Sequence, residues 1–264
     1  QVFATYREHG HALVRGVSAR SIMAEMFGKQ AGCSGGRGGS MHLFDAERSF
    51  YGGNAIVAGH LPLAAGMAMA QQWNQDGHLT ACFFGEGAMA EGEFHETANL
   101  AVLWNLPLLF CCENNRYAMG TSLESSESET DLALKASAYG LPSWAVDGMD
   151  ADAVASGARR AVEMIRGGGG PVFLEFRTYR FRAHSMFDPD RYRPKEEVDE
   201  WRSRDPIELL TSRLYDEGMV DEAELEGLWS AARDEVRDAI AFAEEAELEP
   251  VAELGRHVYR RSVV

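Results

Sequence analysis

The 264-residue chain lacks any apolar run near the roughly 20 residues that span a bilayer. Its opening, QVFATYREHG, lacks the basic-then-apolar build of a signal peptide, so we expect a soluble, cytoplasmic protein. Positive charge is also scarce: 25 Lys and Arg stand against 41 Asp and Glu, a net charge of −16, which argues against nucleic acid or an anionic membrane as the main partner. Cysteine is limited to Cys33, Cys82, Cys111 and Cys112 without C-x-x-C spacing. Three of these sit in apolar runs, where cysteine behaves as a small hydrophobe, so neither a disulfide framework nor a zinc site is expected. The chain carries neither G-x-x-x-x-G-K-[ST] nor a strand-linked G-x-G-x-x-G, which disfavours the nucleotide-binding domains that use them. It also lacks internal repeats and low-complexity tracts.

What is present is an alternation of short apolar runs with longer amphipathic ones, the pattern of parallel strands joined by crossover helices. The fold class expected is α/β, a central and mostly parallel sheet flanked by helices, with a helical C-terminal region. Leu79 to Phe84 (LTACFF) reads as a buried strand, Phe94 to Trp104 as a helix and Leu106 to Cys112 (LPLLFCC) as the next strand, one βαβ unit. Asp150 reads as the N-cap of a helix over 151–166, which the glycines at 167–170 end before a strand over 171–177 (PVFLEFR). Ile56 to Trp73 reads as a helix whose small residues, Gly59, Ala64, Ala65, Gly66, Ala68 and Ala70, allow close approach of a neighbour, inside the domain or across a subunit seam. GCSGGRGGS at 32–40 is a flexible or tightly turned loop, and 178–205, arginine-rich with two prolines, is a long polar loop of the functional or mobile kind. We place one domain over 1–205 and a helical extension packed on it over 206–264.

The strongest local signal runs from Gly85 to Thr121. Gly85-Glu86-Gly87 follows a buried strand and precedes a helix, so the glycines permit a sharp turn while the carboxylate points into the crevice at the strand's carboxyl end. After 26 intervening residues, Asn114-Asn115 ends the next strand, at the same sheet edge if the two strands are parallel neighbours. Taken singly, each tripeptide or dipeptide is an ordinary turn. Together they bring a carboxylate, an amide oxygen and main-chain carbonyls to one place, the hard oxygen ligands that Mg²⁺ accepts beside phosphate oxygens.

These residues resemble the thiamine-diphosphate motif, G-D-G, a spacer and N-N. TYREHG (5–10), GGRGGSMHLF (36–44), FYGGNAIVAG (50–59), CCENNRYAMGTS (111–122), VDGMD (146–150) and TYRFRAHSMFDP (178–189) extend the likeness. Together they resemble the α subunit of the decarboxylating component of 2-oxo-acid dehydrogenase complexes, its pyruvate branch above the others. The resemblance implies thiamine diphosphate and Mg²⁺ as cofactors, with Glu86, the Asn115 side chain and the Tyr117 carbonyl as metal ligands. It implies that Gly85, Gly87 and Ala88 bring backbone amides to the diphosphate at a helix N-terminus. Tyr6 and Arg7 would reach the diphosphate, Ala55 and Val57 would line the aminopyrimidine or thiazolium, His184 would be the catalytic loop histidine, and Arg180 would brace that loop. It further implies oxidative decarboxylation of pyruvate, reductive acetylation of a lipoyl domain on the acyltransferase component, and a heterotetramer of two α and two β chains. The β chain would supply the glutamate that activates the aminopyrimidine.

Without the resemblance, blander readings hold: Arg7 a surface arginine, Tyr6 a half-buried aromatic, Ala55 and Val57 core, His184 an exposed loop histidine. His42 is placed near the site, and His9, His60 and His95 are taken as structural. The chain departs from the pattern in carrying Glu86 for aspartate, an extra methylene that a shift or rotamer must absorb to keep a metal distance of roughly 2.1 Å. The family's N-terminal segment, with its further active-site histidine, is absent from this sequence. Ser185 matches a regulatory phosphoserine position, where a phosphate would add about −1.5 to −2 charges; with Arg191 in place of a second serine, Ser185 reads as a loop-ordering hydroxyl. Two alternatives stay open: an α subunit for branched-chain 2-oxo acids or acetoin, and a noncatalytic scaffold that has lost its cofactor.

Overall fold

Strands that are apolar at every position need cover on both faces, and helices supply it here. We describe the chain from a computed structural model, which defines residues 1–256 and 258. In chain order the elements are β1 (Val2–Thr5), α1 (His9–Val14), α2 (Ala19–Met26), β2 (Phe50–Asn54), α3 (Leu61–Asn74), β3 (Thr80–Gly85), α4 (Gly92–Leu103) and β4 (Leu108–Asn114). There follow β5 (Tyr117–Ala118), β6 (Thr121–Ser122), α5 (Leu123–Ser126), α6 (Leu132–Ser137), β7 (Ser143–Asp147) and α7 (Ala151–Arg166). The last are β8 (Val172–Arg177), α8 (Lys195–Arg202), α9 (Pro206–Asp216) and α10 (Glu222–Glu245). Among the described residues no helix is long and apolar enough to cross a membrane.

The chain forms two compact units, one of Gln1–Thr5 with Ile56–Asp221, the other of Tyr6–Ala55 with the chain from Glu222 onward. The units run differently from a segmentation at 205/206, since α9 stays with the first and α10 goes with residues 6–55. Of the helical region expected over 206–264, residues 257 and 259–264 lie outside the described residues.

In the first unit, five strands run parallel in the order β1-β3-β4-β8-β7. The fold class is therefore α/β with a parallel sheet, as the alternating pattern requires. Alternate residues face opposite sides. Leu109, Cys111, Leu174 and Phe176 meet Ala161 and Ile165 of α7, while Phe84, Phe110 and Phe173 meet Phe94 of α4, with ring centroids 6.1 to 6.3 Å from Phe94. Each of these buried rings contributes about 1.5–3 kcal/mol by leaving water. The helix over 151–166 is as read: Asp150 caps it by accepting from Asp152 and Ala153 N–H at 2.9 and 3.3 Å, and Gly167 closes it.

The expected helix over 56–73 begins later, at Leu61. Ala58 has φ +62°, a left-handed conformation that interrupts the spiral, and Pro62 sits in the first turn, where its missing N–H costs nothing. Ala64, Ala65 and Ala68 of its small face are buried, while Gly66 and Ala70 are exposed. β7 and the short helices α5 and α6 escaped the sequence reading; β7 is half-buried along most of its length and gives a weak apolar signal.

In the second unit, α2 and α10 are joined by Arg20, whose guanidinium donates twice to Asp238 at 2.6 Å. Of the two readings of the glycine-rich segment, the tightly turned one holds, and Glu25 is the cause. Its fully buried carboxylate accepts from the N–H groups of Ser34 (2.8 Å), Gly36 (2.8 Å), Gly38 (2.6 Å) and Gly39 (3.1 Å). Gly36 has φ +78°, and a Cβ on Gly38 would lie 2.2 Å from the His42 carbonyl, so side chains are excluded at both. Replacing Glu25 by alanine leaves four main-chain donors without their acceptor, and we expect a loss of about 3–5 kcal/mol in urea unfolding. A loss below about 1 kcal/mol would mean that water satisfies those amides instead.

Candidate functional site

Three strand ends build the site. The register pairs Gly85 with Glu113 and Asn114 with Arg177, so the carboxyl ends of β3, β4 and β8 lie side by side. Gly85-Glu86, Asn114-Asn115 and Thr178-Tyr179-Arg180 therefore leave the sheet at one edge, the place where open parallel sheets bind ligands. The condition set on the motif, that its two strands be parallel neighbours, is met.

Glu86 is 1% exposed. Its Oε2 accepts the N–H of Asn115 at 3.1 Å, whereas Oε1 is buried without a hydrogen-bond partner. Burial pushes the Glu86 carboxyl above its ordinary range; the Asn115 N–H and the positive charge of Arg180 act in the opposite direction. Gly87 sits against the next turn, and a Cβ there would lie 2.6 Å from that of Ala118, so only glycine fits. Asn115 Oδ1 and the Tyr117 carbonyl both face Arg180, whose Nη1 donates to them at 3.3 and 2.8 Å. A buried carboxylate oxygen without a partner, an amide oxygen and a main-chain carbonyl form the oxygen set that a hard cation takes. Among the described residues no group of three or more His, Cys, Asp or Glu is arranged to hold a metal, so a cation here rests on mixed ligands.

Gly87 and Ala88 lie at the N-terminus of a five-residue 3₁₀ helix, Glu86–Ala90, and the α-helix α4 starts only at Gly92. Glu91 is extended, with ψ 146°, and this separates the two.

The arginine-rich segment after β8 is held from inside. Arg180 also donates to the Met119 carbonyl and the Tyr192 hydroxyl, at 2.7 and 2.8 Å, contacts of the kind a brace makes. Arg193, its side chain fully buried, pairs with Asp190 at 2.7 Å, donates to the carbonyls of Arg180 and Phe181, and lies 5.2 to 5.9 Å from the ring centres of Tyr117, Tyr179 and Tyr192. Asp188 accepts the His184 N–H and the Tyr192 hydroxyl, at 2.8 and 2.9 Å. The Tyr117 hydroxyl donates to Glu197 of α8, and burial together with that carboxylate pushes it up to about 12. At the tip, Met186 and Phe187 are 97% and 95% exposed.

The structure thus brings together Glu86, Gly87, Asn115, Tyr117 and Arg180, with Gly85 and Ala88 on the same turn. His184 is half-buried in the braced loop and Ser185 is exposed, its carbonyl accepting the Asp188 N–H at 3.2 Å. Val57 is 48% exposed and Ala55 half-buried, so neither is core. Tyr6, Arg7 and Ala55 belong to the second unit, where Arg7 lies 5.8 Å from the Tyr6 ring centre. His42 is there too, its Nδ1 3.0 Å from the Gly53 carbonyl oxygen. His9 contacts the Ser40 carbonyl, His60 the Phe83 carbonyl and His95 the Tyr139 hydroxyl, all structural contacts. Sequence reasoning missed Asp188, Tyr192 and Arg193. Their only signal was the density of charge and tyrosine in the loop.

The profile of the Dehydrogenase E1 component family matches residues 1–252. The chain is 45% identical over 255 residues to the pyruvate dehydrogenase E1 component subunit alpha of Rhizobium meliloti (strain 1021), covering 96% of this chain and 73% of that protein. It is 44% identical over 254 residues to the protein of the same name from Zymomonas mobilis subsp. mobilis, covering 96% and 72%. To the somatic, mitochondrial form from Homo sapiens it is 42% identical over 260 residues, covering 98% and 66%. With a profile that spans almost the whole chain and relatives matched over most of their own length, the chain belongs to the dehydrogenase E1 component family.

Proposed function

We propose that this chain is the α subunit of a pyruvate dehydrogenase E1 component, an oxidoreductase subunit active with a β subunit and bearing thiamine diphosphate and Mg²⁺. The observation that carries the reading is the buried, unpartnered Oε1 of Glu86 beside Asn115 and Tyr117. Glu86, the Asn115 amide oxygen and the Tyr117 carbonyl would hold Mg²⁺, and the ion would supply positive charge for a diphosphate. Gly87, where a Cβ would collide with Ala118, keeps the turn that carries Glu86 packed against the strand that carries Tyr117. Thiamine diphosphate, when bound, supplies the carbanion and electron sink for decarboxylating a 2-oxo acid.

The chain's own residues then bind, orient and enclose. Arg180 fixes Asn115 and Tyr117 relative to the loop, and the loop, pinned by Arg193 and Asp188, carries His184 as the group that moves a proton beside the substrate and keeps water out. Within an α₂β₂ assembly the chain would serve reductive acetylation of a lipoyl domain on the acyltransferase component, in which the lipoyl disulfide would be the oxidant and one of its sulfurs would take up the acetyl group. Pyruvate is favoured because the relatives reported above carry that name.

Titration of the chain co-expressed with its β partner tests the proposal. We expect thiamine diphosphate to bind with an affinity that falls at least about tenfold when Mg²⁺ is chelated, and pyruvate to turn over faster than a branched-chain 2-oxo acid. Preference for the branched-chain acid would move the substrate assignment, and no metal-dependent binding would overturn the enzyme reading.

A further inference from the structure

We infer that Glu175, which touches none of the three ligands assigned to the metal, is the positioning residue of that site, acting through Asn114; the inference rests on the function proposed above. Glu175 lies on β8 among Phe173, Leu174 and Phe176 and is fully buried. Its Oε1 accepts from Asn114 Nδ2 at 2.8 Å and from Arg177 Nε at 3.2 Å, and its Oε2 accepts from Arg177 Nη2 at 3.2 Å.

An ionised carboxylate can only accept, so it turns the nitrogen of the Asn114 amide toward itself. The amide is planar, and Oδ1 is thereby aimed the opposite way, where it accepts the N–H of Arg116 at 3.1 Å. This side-chain turn holds Arg116 at φ +74°, a conformation that a non-glycine residue adopts only when its surroundings impose it. The reversal at Arg116 is what presents the Asn115 N–H to Glu86 and directs the Asn115 amide oxygen and the Tyr117 carbonyl to the same guanidinium. The two asparagines therefore divide the work: the second offers the ligand, and the first makes the turn, under the control of Glu175. A buried charge at this position costs desolvation that an apolar residue on the same strand would not. Geometry at the strand end is the compensation.

The test uses the full chain in complex with its β subunit, with Mn²⁺ as a paramagnetic probe of the metal in the presence of thiamine diphosphate. Glu175→Leu orphans the Asn114 amide, and Asn114→Asp sets two carboxylates face to face. Each should weaken Mn²⁺ binding about 10-fold to 100-fold, although Asn114→Asp adds negative charge that by itself would strengthen it. The double variant Asn114→Asp with Glu175→Gln exchanges donor and acceptor at the original net charge. The carboxylate introduced at position 114 then accepts from both the amide introduced at position 175 and the Arg116 N–H. Binding should return to within about threefold of the original protein, a coupling that two independent sites would not show.

A double variant no better than Asn114→Asp, or Glu175→Leu within about threefold of the original, would overturn the inference. If a single variant does not assemble, recovery of assembly and of Mn²⁺ binding in the double variant supports it, and failure to recover counts against it. Absence of Mn²⁺ binding in the unaltered complex would instead overturn the functional proposal, and the inference with it.

Discussion

Replacing Glu86 by glutamine should abolish Mg²⁺-dependent retention of thiamine diphosphate and, in the cofactor-free protein, raise the melting temperature. The two effects share one cause. The carboxylate is buried with one oxygen unpartnered, so folding without a cation must desolvate a charge that nothing in the chain neutralises fully. A neutral amide of the same shape removes that cost, a gain of about 1 kcal/mol of the kind found when functional strain is relieved. It also removes the charge that a divalent cation needs, and metal-dependent affinity should fall by about 100-fold or more.

The pH dependence follows in sign. Burial raises the folded-state pKa of Glu86 above the ordinary 4.5. The folded, cofactor-free chain thus keeps this proton to higher pH than the unfolded chain does. The associated stability is fully present below the unfolded pKa and is lost as pH rises through the raised folded value. Metal binding runs the other way, since it needs the ionised form and weakens as pH falls through that value. Glu86→Gln should flatten both dependences at this position. Unchanged Mg²⁺ dependence in Glu86→Gln would show that the metal is held elsewhere.

The second large effect is expected at Arg193. Its guanidinium joins Asp190, the carbonyls of Arg180 and Phe181, and three tyrosine rings, and its side chain is fully buried. Methionine keeps most of the side chain's length and loses every donor, leaving the Asp190 carboxylate without its partner. We expect the loop between Thr178 and Pro194 to open more often, with proteolysis at the exposed Met186–Phe187 tip faster by about 30-fold, the equivalent of about 2 kcal/mol. Turnover in the α–β complex should drop by about 100-fold, because His184 and Arg180 are placed by the same brace. Arg191→Ala, a change at an exposed position of the same loop, is the control and should leave both rates near the original. Equal cleavage rates in Arg193→Met and Arg191→Ala would refute the brace.

Glu86 and Arg193 also mark how far the sequence could be read. Glu86 was legible because two ordinary turn signals coincide: a glycine-flanked carboxylate directly after one apolar strand, and Asn114-Asn115 at the end of the next. Arg193 was not, since nothing in a segment with six arginines says which one is buried. That is decided by tyrosines 117, 179 and 192, one from β5 and two from the segment after β8, which close around one guanidinium only in the folded loop. The start of α3 was misplaced for a related reason. Small apolar residues continue upstream of Leu61, and only the backbone at Ala58 shows where the helix stops.

By itself, the sequence determined the α/β class, the strands buried on both faces, the capped helix over 151–166 and the two strand-end motifs, because each follows from periodicity or turn chemistry within about 20 neighbouring residues. Tertiary structure alone decided that β8 sits against β4 with β7 outside it, so that Arg180 and Glu175 reach the Asn114-Asn115 turn, and that residues 222–245 pack with residues 6–55. Strand order and unit membership are set by which large surfaces bury each other across distant parts of the chain, and that competition leaves no local mark in the sequence.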